Sequence, residues 1–194
     1  LVTGVQTCAL PISPDTYPLL KRVGQATVQV VASGPDVPSD TYYDAILTAF
    51  FQASERIWIA TPYFIPDEAL ARGLVLAVRR GVDVRVLVPH SSNHPMADIA
   101  GASYLRQIAK AGGRVHRYTP GMMHAKVTLI DHELAIMGSA NLDMRSLFLD
   151  YEIALFSYTR AEVERFSAWF EALLVHCDER LPEPGIVRRL AEDM

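Results

Sequence analysis

Apolar residues recur along this chain in two alternating periods, close to two residues and close to 3.6, and the alternation predicts a layered α/β domain. Residues 26–33, "ATVQVVAS", have the β-branched character of a strand and end at the turn cluster "SGPDVPSD". Tyr43, Ile46, Leu47 and Phe50 then fall on one helical face, with Ser39 or Asp40 as the cap. "RIWIATPYF" reads as a β-branched and aromatic strand. Pro66 opens a helix whose Leu70, Leu74 and Val78 face inward, and Gly81 stops it. "DVRVLVP" is the next strand and "PHSSNHP" a loop, and residues 96–111 continue as a helix through Ile99, Leu105 and Ile108. After the strand "RVHRY", the runs "HAKVTLI" and "LAIMG" flank Asp131-His132-Glu133 as a hairpin, and "YEIALFS" follows as a strand. Thr159 and Glu162 have capping-box spacing ahead of Val163, Phe166, Phe170 and Leu174. The expected fold is α/β: an α/β/α layered sandwich around a central mixed sheet.

Composition narrows this picture only a little. Half of the 194 residues are hydrophobic and 21% are charged, enough apolar surface for one well-buried domain. The net charge of −4 disfavours a broad, unspecific hold on nucleic acid and leaves room for a local basic pocket. No apolar run approaches the roughly 20 residues a spanning helix needs. Residues 2–12, "VTGVQTCALPI", match one reading frame of a sequencing adapter, so residues 1–13 are read as an artefact and set aside. That removes Cys8 and leaves Cys177 alone, a passive residue at a helix end with no disulfide partner. Residues 14–25 read as a linker, 26–178 as the domain, and the Pro-broken 179–194 as a peripheral tail.

The chemistry gathers in one segment, "GMMHAKVTLIDHELAIMGSANLDMRS" (121–146). Side chains at i and i+2 of a strand share a face, so His124 and Lys126 are expected side by side at the end of a buried strand, where a cleft can open. A return strand ending in Gly138-Ser139 brings Ser139 and Asn141 back to that end, and Gly138, without a Cβ, permits close approach of backbone and ligand. Imidazole can attack phosphorus or shuttle a proton, an ammonium stabilises the equatorial oxygens of a phosphoryl group, and hydroxyl and carboxamide add neutral hydrogen bonds. No metal and no cofactor is expected: the six histidines lack zinc-site spacing and no carboxylate cluster suggests magnesium. A lone strand histidine is usually an ordinary one. The joint pattern H-x-K-x4-D-x6-G-S-x-N fixes six residue types, and at about one in twenty each its chance occurrence here is on the order of a few in a million.

His124, Lys126, Asp131, Gly138, Ser139 and Asn141 match the signature of the phospholipase D superfamily. "TPYFIPDEAL", "RGVDVRVLVP", "GSANLDMRSLFLDYEIALF" and "VQVVASGPD" extend the likeness over roughly residues 26–175, where the chain resembles the C-terminal half of a bacterial cardiolipin synthase. The resemblance implies a phospholipase D-like half whose two-motif family uses two histidines, one forming a covalent phosphohistidine. By analogy His124, in the second motif, is the general acid/base, and Lys126 and Asn141 hold the phosphate with Ser139 beside them. Asp131 is then structural, satisfying backbone N–H groups in the hairpin, and Glu152 either orients an active-site histidine or is an ordinary polar residue.

The same resemblance implies transfer of a phosphatidyl group between two phosphatidylglycerol molecules, giving cardiolipin and glycerol. The runner-up is a phospholipase D-like hydrolase or nuclease, and a non-catalytic membrane module comes last. Expected partners are anionic phospholipid, the bacterial cytoplasmic membrane reached through a missing N-terminal half, and the first-motif half itself. No nucleic acid partner is expected, and the fragment is expected to be inactive alone. Lesser candidates are Tyr63 and Phe64 as channel lining, Arg145 and His94 near the cleft, and Arg114, His116 and Arg117 as a basic entrance. His132 reads as solvent-exposed.

Overall fold

The structure, a computed structural model, describes residues 24–37 and 39–181. The adapter-like leader, residues 14–23 of the expected linker, and the tail beyond 181 lie outside them. The elements run β1 (Val28–Ser33), α1 (Thr41–Gln52), β2 (Arg56–Ala60), β3 (Phe64–Ile65), α2 (Glu68–Arg79), β4 (Asp83–Pro89), α3 (Pro95–Ala111) and β5 (Arg114–Tyr118). They continue with β6 (Val127–Ile130), β7 (Leu134–Gly138), β8 (Leu142–Asp143), α4 (Met144–Phe148), β9 (Glu152–Ser157), α5 (Arg160–Leu174) and β10 (Cys177–Asp178).

Eight strands form one mixed sheet in the order β1-β9-β7-β6-β2-β4-β5-β10, and β3 pairs with β8 beside it. The β2–β4 and β4–β5 pairs are parallel, each joined by a crossover helix, whereas the β6–β7 hairpin makes the middle of the sheet antiparallel. Alternation along β2 shows how the layers arise. Ile57 and Ile59 point into the core under α1, α2 and α3, with Ile46, Phe50, Leu70, Leu74, Leu105 and Ile108. Trp58 and Ala60 point the other way, into the core beneath α5 with Val163 and Phe170. Burial of each such large side chain stabilises by about 1.5–3 kcal/mol, enough to hold the register. The expected α/β/α sandwich is present.

Several local expectations are corrected. The buried face of α1 is Tyr42, Ile46, Ala49 and Phe50; Tyr43 and Leu47 sit at its margin. Ile99 is exposed, because α3 turns Gly101, Ala102, Leu105 and Ile108 inward, and a Cβ on Gly101 would come 2.5 Å from the Phe64 carbonyl oxygen. The capping box does not form at α5: the Thr159 hydroxyl accepts from the Thr27 N–H at 2.8 Å, tying the segment before β1 to the helix start. Asp67 does cap α2, accepting from Ala69 and Leu70 N–H at 3.1 Å each.

Among the described residues, no helix covers one half of the sheet on the side of α5. α5 lies over β5, β6 and β7. On the same side of β1 and β9, Val28, Val30, Ile153 and Leu155 stand exposed, Val30 at 62%. Val30 lies opposite Leu155 and Ala32 opposite Ile153, so these side chains make one apolar patch. Patches of this kind mark interaction surfaces.

Candidate active site

The strands converge on the site from their ends. β6 enters the sheet at Val127, opposite Met137 of β7 and Ala60 of β2. β7 leaves at Gly138, opposite Ala154. His124, Lys126, Ser139, Asn141 and Glu152 are therefore gathered along one edge of the sheet. Strand β6 is shorter than expected, and His124 and Lys126 lie in the extended segment that precedes it. They are adjacent all the same. Lys126 Nζ is 3.0 Å from His124 Nδ1 and 3.4 Å from Nε2, and it donates to the His124 carbonyl at 3.1 Å. An ammonium can only donate, so while the ring is neutral the nitrogen that accepts from it carries a lone pair; with the nearer Nδ1 as acceptor, the single ring proton would sit on Nε2.

Their electrostatics follow from this contact. Partial burial and then the Lys126 charge both hold the His124 pKa below its ordinary 6.5, because an imidazolium beside an ammonium is disfavoured. Burial also lowers Lys126, and Glu152 and Asp143 oppose that shift by favouring its charge. Removing the neighbouring cation should therefore raise the imidazole pKa. In an NMR titration of the His124 ring, Lys126→Met is expected to move the midpoint upward. A midpoint that stays put or falls would remove the proposed coupling.

The other motif residues have well-defined local partners. Ser139 N–H donates to the Ile153 carbonyl and its Oγ accepts from Ile153 N–H, both at 3.0 Å. The Ser139 hydroxyl donates to the Glu152 carboxylate. A hydroxyl has one proton, so donation to a phosphate would require Ser139 to release Glu152. Among the described residues, Glu152 hydrogen-bonds Ser139 and not His124, and it acts on Lys126 through its charge. A Cβ on Gly138 would strike the Ile153 carbonyl and come 2.8 Å from Ala154 Cα, so the close approach there is to strand β9. Asn141 Nδ2 donates to Ser146 Oγ at 3.2 Å, while its buried Oδ1 has no protein partner. The β3–β8 pair anchors this turn to β2, with Leu142 N–H donating to Thr61 Oγ1 at 3.4 Å.

Asp131 sits at the opposite end of β6, far from this cluster along the strand. Its carboxylate accepts from the N–H groups of Ser54, Glu55 and Arg56, the last two at 2.8 and 2.9 Å, and from the Ser54 hydroxyl. It thus organises the entry to β2 and not its own hairpin, as the sequence had suggested. Burial alone would raise its pKa, and these donors outweigh burial and hold it below the ordinary carboxylate value.

The lesser candidates divide. Phe64 is buried in the core, but Tyr63 lines an open cleft of about 510 Å³ together with His94, Asn141, Met144 and Arg145. The Tyr63 ring lies 5.5 Å from that of His94 and 6.3 Å from that of His124. Both were under-ranked from sequence. The available signal was position, since each follows the C-terminal end of a parallel strand, where α/β sheets open their clefts. Arg145 is held by Asp150 at 2.9 Å.

Among the described residues, the side chains expected to form a basic entrance are engaged by local partners. Arg114 pairs with Asp83, Arg117 donates to the carbonyls of His90 and Arg180, and His116 is buried with Nδ1 3.2 Å from Glu179. His132 is half-exposed and faces Glu55. Partly buried Cys177 has its thiol pushed up to about 11 by burial and then by Glu179. Among the described residues no three His, Cys, Asp or Glu side chains gather as a metal site requires, and no helix is long and apolar enough to cross a membrane.

Comparison with known proteins decides the family. Residues 46–174 match the family described as the PLD-like domain of cardiolipin synthase. This chain belongs to that family. Two similar curated proteins are cardiolipin synthase A of Pseudomonas entomophila (strain L48), 46% identical over 150 residues, and that of Pseudomonas fluorescens (strain SBW25), 45% identical over 150 residues. Each match covers 77% of this chain, which spans only 30% of the relative's length. Among solved structures, the phospholipase D family member Nuc from Salmonella typhimurium superposes with a TM-score of 0.69 at 21% identity, covering 81% of this chain and all of Nuc. Phosphatidylserine synthase from Haemophilus influenzae Rd KW20 gives 0.66 at 20%, covering 87% of this chain and 45% of that one. These two share the fold of the phospholipase D-like domain described above.

Proposed function

We propose that this phospholipase D-like domain is the second-motif half of a cardiolipin synthase, joining two phosphatidylglycerol molecules with release of glycerol. The observation that carries the proposal is the His124–Lys126 pair, 3.0 Å apart at the edge of the sheet beside an open cleft. In the reaction, an imidazole of the first-motif half attacks the phosphorus. A P–N bond forms, the P–O bond to glycerol breaks, and His124, entering this step as the imidazolium, delivers a proton to the departing oxygen and is left neutral. The terminal hydroxyl of a second phosphatidylglycerol then gives its proton back to His124 and attacks. A P–O bond forms as the P–N bond breaks. Lys126 stabilises the equatorial oxygens in both steps, and the free N–H of Asn141 can bind one of them.

The exposed apolar patch that β1 and β9 present among the described residues supports a protein partner. Ile153 lies in it and is also bonded to Ser139, so a layer placed there would border the reacting groups. The share of the relatives' length that this chain lacks would supply both that layer and the membrane attachment. The alternative acceptor is water, which would make the enzyme a hydrolase. The domain joined to a first-motif half is expected to convert phosphatidylglycerol vesicles to cardiolipin and glycerol, whereas this domain by itself turns over nothing. Phosphatidic acid as the main product would refute transfer, and turnover by the isolated domain would refute the half-site assignment.

A further inference from the structure

Nearly every cation among the described residues is spoken for. Arg56 donates to the Asp131 carbonyl and Ser167, Arg80 to the carbonyls of Phe50 and Ala53, and Arg117 to two further carbonyls. Arg85, Arg114, Arg145, Arg160, Arg165 and Arg180 each meet a carboxylate, Lys126 contacts His124, and Arg106 also has a partner. Three remain: Arg72, Arg79 and Lys110. All three line one open groove of about 530 Å³ between α2 and α3, on the helical face turned away from the sheet. Its floor is Ala71, Val75 and Tyr104, and its one carboxylate is Glu68.

Arg79 and Lys110 stand in the last turns of their helices, where a cation offsets the helix dipole. That accounts for two of the three and leaves Arg72, in the middle of α2, unexplained. With about half a charge assigned to each helix end and a full one to Glu68, the groove still keeps a net positive charge. The chain carries a net charge of −4, so association with an anionic surface requires a face of locally positive charge such as this one.

We propose that the α2–α3 groove binds the phosphate of anionic phospholipid headgroups at a bilayer surface, at a site separate from His124 and Lys126. The guanidinium and ammonium groups supply charge-assisted donors to phosphate oxygens, and the Val75–Tyr104 floor accommodates the glycerol backbone. Only the choice of ligand rests on the lipid chemistry proposed above.

The test is flotation of the full 194-residue chain with vesicles of phosphatidylglycerol and phosphatidylcholine, against phosphatidylcholine alone. Binding is expected only to the anionic vesicles and should weaken with salt. Arg72→Gln, Arg79→Gln and Lys110→Gln should each weaken it about fivefold, and the triple variant on the order of a hundredfold. A control triple, Arg160→Gln with Arg165→Gln and Arg180→Gln, changes net charge equally and should bind as the parent does. His124→Ala should also bind as the parent does, which separates failure of this site from failure of the catalytic proposal. Thermal melts establish that every variant is folded. Equal losses in both triples, competition by free glycerol 3-phosphate as effective as by vesicles, or tighter binding of duplex DNA through the same three residues would each overturn the assignment.

Discussion

His124→Ala, in the domain assembled with a first-motif half, is expected to lower kcat for phosphatidylglycerol about 10²–10⁴-fold, the range of a positioned general acid/base. Lys126→Ala should lower it roughly 10²–10³-fold, the loss expected when one preorganised charge is removed from a developing oxyanion. The two side chains touch, at 3.0 Å, so the double variant should lose much less than the product of the single effects. Single-turnover chemistry measured beside substrate binding distinguishes this from a binding role: the chemical step should slow while KM changes little. A module that merely carries lipid would show unchanged turnover in Lys126→Ala, and that outcome would end the catalytic proposal.

Asp131→Ala should destabilise the domain by about 2–3 kcal/mol without touching the reacting groups. The carboxylate satisfies three backbone N–H groups and a hydroxyl at the entry to β2, and alanine would leave those donors to whatever water can reach them. Arg56 is the exposed weakness, since its N–H is partly buried and its side chain is tied to the Asp131 carbonyl at 2.7 Å. The pH dependence has a definite sign. The folded-state pKa of Asp131 lies below the ordinary carboxylate value, so its stabilisation is fully present above about pH 4 and disappears as pH falls through the lowered value. Asp131→Asn should flatten the acid limb of the stability profile, as followed by denaturant melts between neutral and acid pH. An acid limb identical to that of the parent would show that these hydrogen bonds do not depend on the charge.

Asp131 also illustrates how far the linear chain could be interpreted. Its structural role was expected only from the family resemblance, which sets the motif aspartate apart from the phosphate. Which donors could not be read, since Ser54 and Arg56 lie more than seventy positions away and meet it only when β6 pairs with β2. Glu152 is the same case: its bond to Ser139 exists because β7 and β9 run antiparallel with Gly138 opposite Ala154. The basic entrance failed for the complementary reason. Arg114, His116 and Arg117 make a cationic run in sequence, but neighbouring strands and β10 place a carboxylate or carbonyl against each.

The sequence by itself determined the order of the longer strands and helices, the mixed α/β class and the His-Lys-Ser-Asn set, because local periodicity and residue chemistry need only neighbours within a few positions. It did not determine the short β3, β8, α4 and β10, because elements this short show no period. Tertiary structure decided what that set can touch: Tyr63 near both His94 and His124, Glu152 on Ser139, and the groove where Arg72, Arg79 and Lys110 converge from two helices. Those juxtapositions follow from strand register and helix packing, which depend on the apolar surface of the whole domain being buried at once and on no single stretch of chain.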